Sequence, residues 1–151
     1  QTTNDDLFVG TWRWVSGTDT MTIVIEKQNL AILNPSNPEP TLVGWHKYVK
    51  NGQVIESSFQ YLGRDASLDK DSTYIDNKVT LFGFAQNSTS ARFVNFWNLT
   101  YHRSDALYLT FLPNSTTQVA WKIRGHQGIM HGLPKDRHKY NMPINLILTK
   151  I

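Results

Sequence analysis

Phe8-Val9-Gly10-Thr11-Trp12-Arg13-Trp14-Val15-Ser16-Gly17-Thr18-Asp19-Thr20-Met21-Thr22-Ile23-Val24-Ile25-Glu26-Lys27 contains two runs of alternating residues with turn chemistry between them. Trp12 and Trp14 alternate with Thr11 and Arg13, and Met21, Ile23 and Ile25 alternate with Thr20, Thr22 and Val24. A period of two puts one set of side chains on each face of a strand, so each run predicts a half-buried β-strand. Ser16-Gly17-Thr18-Asp19 is too short to be anything but a tight reversal, which makes the pair an antiparallel hairpin.

The same pattern recurs along the chain. Val43, Trp45, Lys47 and Val49 lie opposite Gly44, His46 and Tyr48. Leu107, Leu109 and Phe111 alternate with Tyr108, Thr110 and Leu112, and Val119, Trp121 and Ile123 alternate with Ala120, Lys122 and Arg124. Further runs lie near Val54–Tyr61, Lys78–Phe84, Phe93–His102 and Ile144–Lys150, for about nine or ten strands in all. Asn51-Gly52 is the strongest turn signal, because both residues tolerate the positive φ that a two-residue hairpin requires. Asp76-Asn77, Asn114-Ser115 and Gly132-Leu133-Pro134 mark other reversals. Asn34–Pro40, with three prolines, predicts a stiff loop rather than a central strand. Only Gly63–Ser72 offers a possible helical turn, and its Asp and Ser content suits a loop equally.

With no helix to cover it, an open sheet of this size leaves two exposed edges, and closure removes them. The expected architecture is all-β: a single domain over residues 1–151, a closed or nearly closed antiparallel up-and-down β-barrel of eight to ten strands. The 151 residues suit one domain. A chain of that length buries roughly 68–70% of its unfolded surface and needs no covalent staple. Cysteine is absent, which excludes disulfides, thiolate metal sites and cysteine nucleophiles. Charged residues make up 18%, below the usual share of about 25%, and hydrophobic residues 40%. No stretch approaches the roughly 20 apolar residues of a transmembrane helix.

Phe8-Val9-Gly10-Thr11-Trp12 resembles the Gly-x-Trp opening of lipocalins, fatty-acid-binding proteins and avidins. The resemblance implies that Gly10 bends the first strand and that Trp12 plugs the closed end of the barrel. Taken with Val119–Ile123 and Met142–Lys150, the opening is similar to a family of small exported Bacteroidetes proteins with a lipocalin-like barrel. Export to the periplasm, envelope or exterior is the compartment this implies, with a signal peptide removed before Gln1. Departures are visible. The short first hairpin leaves no room for the helical lid of fatty-acid-binding proteins. Where lipocalins carry a late arginine over the tryptophan, the last strand here offers Lys150.

The five tryptophans, six tyrosines and seven phenylalanines are many for this length; some fill the core, and either the barrel is packed solid or aromatic walls line a site for an apolar ligand. Trp14, Trp45, Phe59, Tyr61, Trp97 and Trp121 are the expected lining of a ligand site, with Arg124 near its mouth. The functional expectation is binding of a small apolar or amphipathic molecule without catalysis. The alternative is a solid-cored interaction module whose basic loop 125–140 touches a macromolecule at the cell envelope. Residues 118–151 carry a net +5 against −2 for residues 1–117, which supplies the charge for that contact.

Catalytic and metal chemistry find little support. His126, His131 and His138 are interspersed with Lys135, Arg137 and Lys139, whose charges oppose a cation. His46 and His102 are expected at the surface or in the barrel wall. Asp65, Asp69 and Asp71 read as a solvated connection, and no nucleophile elbow or phosphate loop is present. No cofactor, no metal, no catalytic residue and no nucleic-acid partner are expected, since the basic end lacks a strand-borne stacking platform.

Overall fold

Strand β1 (Gly10–Ser16) and strand β2 (Asp19–Leu30) pair antiparallel with Trp12 opposite Ile23 and Trp14 opposite Met21, the hairpin that the alternation predicts. The structure, a computed structural model, describes residues 4–30, 39–64, 79–101, 103–124 and 141–151. Seven further strands follow: β3 (Glu39–Lys50), β4 (Gln53–Ser57), β5 (Leu81–Ala85), β6 (Ser90–Asn98), β7 (Arg103–Phe111), β8 (Gln118–Arg124) and β9 (Asn145–Lys150). Two short 3-10 helices, η1 (Asn4–Leu7) and η2 (Phe59–Tyr61), complete the described elements.

Every neighbouring pair is antiparallel, in the order β2-β1-β9-β8-β7-β6-β5-β3, and β2 pairs with β3 to complete the circuit. The result is a closed eight-stranded up-and-down barrel. β4 is a ninth strand, attached to the upper half of β3 below which β5 joins the same edge. Asn51 and Gly52, with φ of 54° and 76°, form the β3–β4 hairpin turn.

Alternation decides what fills the barrel. Trp12, Met21, Ile23, Ile25, Leu42, Phe93, Phe96, Leu107, Leu109, Trp121 and Leu148 belong to one buried interior cluster. At one end, η1 brings Phe8 against Phe111, ring centroids 4.9 Å apart, and Asp5 accepts a hydrogen bond from the Ala85 backbone at 2.7 Å. Trp12 lies in this end, fully buried, its Nε1 donating to the Phe8 carbonyl at 2.9 Å. Lys150 on β9 places its Nζ 5.5 Å from the Trp12 ring centroid. Gly10 suits its position because its φ is 138° and a Cβ there would come within 2.8 Å of the Lys150 side chain.

The run Val54–Tyr61 is not one strand. β4 stops at Ser57, whose Oγ accepts the Phe59 backbone N–H at 3.1 Å, and the chain turns into η2. Asn98, which also fits a glycosylation pattern, is fully buried and binds the Thr100 and Tyr101 backbone N–H groups through its Oδ1. The loop reading of Asn34–Pro40 and the turn reading of Gly63–Ser72 fall mostly outside the described residues, although Pro40 lies in β3 opposite Asn29.

Candidate ligand-binding site

β1 and β9 close the barrel through only two residue pairs, Trp12 with Lys150 and Arg13 with Thr149. Beyond them β1 continues to Ser16 and β9 begins at Asn145 without further pairing between the two. An open cleft of about 500 Å³ lies at this parting, lined by Trp14, Trp121, Leu146 and Ile147 with Lys122 and Asn145. Trp14 and Trp121 pack with the interior cluster, and Leu146 stands opposite Trp121, so the cleft reaches from the barrel lining to the outer wall. The Trp121 Nε1 donates to the Pro143 carbonyl at 3.0 Å, which fixes its ring, and at 1% exposure Trp121 is the buried floor beneath the cleft.

The six aromatic residues expected to share one interior, and Arg124 expected near its mouth, are divided by the structure. Trp14 and Trp121 face inward. Trp45, Phe59 and Tyr61 instead form a second cluster with Val43, Val79, Val24 and Phe82 on the outer face of β2, β3 and β5, beneath η2. The inward positions of β3 belong to Leu42, Gly44, His46 and Tyr48, the opposite set. Trp97 alternates with buried Phe96 and Asn98 and so faces outward from β6. Arg124 faces outward from β8, its guanidinium 5.4 Å from the Tyr108 ring centroid.

His46 is the residue the alternation placed least well. It is fully buried, edge-on to Phe96 with ring centroids 4.8 Å apart. Its Nε2 meets Glu56 Oε2 at 2.5 Å and its Nδ1 meets Thr80 Oγ1 at 2.7 Å. Thr80 Oγ1 is 2.9 Å from Ser58 Oγ, which accepts the His46 backbone N–H at 3.0 Å. Thr100 donates to the second Glu56 oxygen from both N and Oγ1, at 2.9 and 2.7 Å. An ionised Glu56 makes Nε2 the donor of that bond. Burial pushes the Glu56 carboxyl upward, but the hydrogen bond and charge of His46 and the two Thr100 bonds outweigh it, leaving its pKa below the usual value.

This carboxylate–imidazole–hydroxyl series has the residue types of a hydrolase relay. Ser58 and His46 are nevertheless both fully buried, and their polar atoms already serve one another. The arrangement therefore ties β4 and the residues around Thr80 and Thr100 to β3. The sequence signal for it was weak: a histidine at an alternating position of a strand whose two faces are both apolar.

Among the described residues no group of three or more His, Asp or Glu side chains converges as metal ligands, and no helix is long and apolar enough to cross a membrane. His102, His126, His131, His138, the acidic group Asp65, Asp69 and Asp71, and the basic loop 125–140 lie outside the described residues. A family model described as "Family of unknown function (DUF6705)" matches residues 1–151. Neither a curated protein nor a solved structure matches the chain.

Proposed function

The chain belongs to that family of unknown function, DUF6705, and we propose that it is an exported, lipocalin-like binding protein that holds a small apolar or amphipathic molecule and does not transform it. The observation that carries the proposal is the cleft at the β1–β9 parting. Its volume of about 500 Å³ falls in the range of small-molecule sites, and Trp14, Ala120 and Ile147 stand along it over the buried Trp121 and Leu146. Lys122 and Asn145 at the rim supply a cation and an amide for a polar head group. Trp12 is fully buried with the Lys150 ammonium over its ring, and this supports the lipocalin resemblance even though lysine stands where lipocalins carry arginine. The export proposal rests on that same resemblance.

The amphipathic dye 1-anilinonaphthalene-8-sulfonate tests the site. It binds at one equivalent with enhanced emission and quenches tryptophan fluorescence, and Trp14→Ala reduces both signals. Dye emission unchanged from buffer, or undiminished in Trp14→Ala, contradicts the proposal. Native mass spectrometry of freshly purified protein then identifies the class of any molecule carried through purification.

A further inference from the structure

The outer wall of β5–β8 carries a row of side chains that the barrel itself does not use. Phe84, Arg92, Tyr108 and Lys122 stand directly opposite one another across four successive strands. All four face outward, since each alternates with residues of the buried interior cluster. Arg92 and Arg124 both approach the Tyr108 ring, at 5.7 and 5.4 Å. The Arg92 Nε is buried without a hydrogen-bond partner. No aspartate or glutamate occupies an outward position on β5–β9, because the one acid in these strands, Asp105, is buried beside Arg103. Phe84 is 49% exposed at the end of the row.

We propose that this face docks a linear acidic polysaccharide bearing a carboxylate on every second ring. Cations that meet no outward acid among the described residues of these strands call for an anionic partner. Their spacing narrows the choice. Arg92 and Lys122 are separated by two strand spacings, roughly 10 Å, which is the length of two pyranose rings in an extended chain. Between them lies Tyr108, whose ring the Arg92 and Arg124 guanidiniums flank, and the exposed Phe84 at the end of the row offers the surface on which an uncharged ring can rest. The guanidiniums that flank Tyr108 occupy its ring, so planar bases would find Phe84 alone to stack on. A convex barrel wall presents Arg92 and Lys122 in one row across the strands with Arg124 beside it, which suits a chain better than a lipid plane.

The face is distinct from the cleft except at Lys122, so the test leaves Lys122 intact. Binding of a hyaluronan oligosaccharide, with glucuronate on alternate rings, is measured by calorimetry at low ionic strength with the full chain. Arg92→Gln with Arg124→Gln weakens it about tenfold, while dye binding at the cleft is retained. Substituting Gln for Lys135, Arg137 and Lys139 leaves it unchanged. Absence of binding, equal binding by the Arg92/Arg124 variant, or equally tight binding of a thymidine oligonucleotide or of anionic phosphatidylglycerol vesicles overturns the proposal.

Discussion

Trp12 and Glu56 are both buried, and different forces hold them. Trp12 contributes area and packing: its ring lies 6.0 Å from Phe111 by centroids and under the Lys150 ammonium. Replacing it by Ala empties a large site that η1 and β9 cannot refill, at a cost of about 3–5 kcal/mol, read from the urea midpoint. Glu56 contributes charge held by hydrogen bonds, and its substitution by Gln costs about 1–3 kcal/mol at neutral pH. Its folded pKa lies below the unfolded value. The stability it supplies is thus complete above about pH 4.3 and is lost as pH falls through the folded pKa. Denaturation curves across that window should show the difference between wild type and Glu56→Gln shrinking on acidification. A constant difference would mean that Glu56 does not titrate with folding. Trp12 was legible from five residues of sequence; Glu56 was not, because its partners His46 and Thr100 are 10 and 44 residues away.

At the level of elements, β1, β2, β7 and β8 were readable because one face is wet and the other dry. β3 was not. Its outward Val43 and Trp45 are as buried as its inward Leu42, because η2 and its neighbours cover that outer face. A strand buried on both sides has no polar alternation to give its inward set away. That ambiguity puts Trp45 in the interior and leaves His46 out of it, while Phe59 and Tyr61 are misplaced because β4 ends at Ser57 and the chain turns into η2. The β5–β6 pair carries a further feature that periodicity hides. Its register shifts at Phe82/Gly83, and a Cβ on Gly83 would come within 2.1 Å of the Arg92 carbonyl oxygen. Gly83→Ala therefore forces the two backbones apart and destabilises the fold by more than about 1 kcal/mol. Hydrogen exchange localises the loss: β5 and β6 amides should exchange faster in the variant, with β8 and β9 changed only through global stability. Equal exchange throughout would show the bulge to be soft.

For the whole molecule, closure was legible as a necessity rather than as a contact. Many strands with no helix must either curl or pair with another copy, and the turn signals suited an up-and-down order. Where the circle is weakest could not be read, since it depends on the tilt of two strands more than a hundred residues apart. The structure puts that weak point at β1–β9, and the proposed ligand cleft opens there because the pairing stops at Arg13 and Thr149.

Closure of the first strand on the last is the claim on which barrel, plug and cleft all depend. The Ile151 backbone N–H donates to the Thr11 carbonyl at 2.9 Å, and Arg13 stands opposite Thr149. Nuclear Overhauser spectra of labelled protein should contain cross-strand contacts between Arg13 and Thr149 and show a protected Ile151 amide. An Ile151 amide exchanging at the rate of a free chain, with no contact between these strands, would contradict the closed barrel outright.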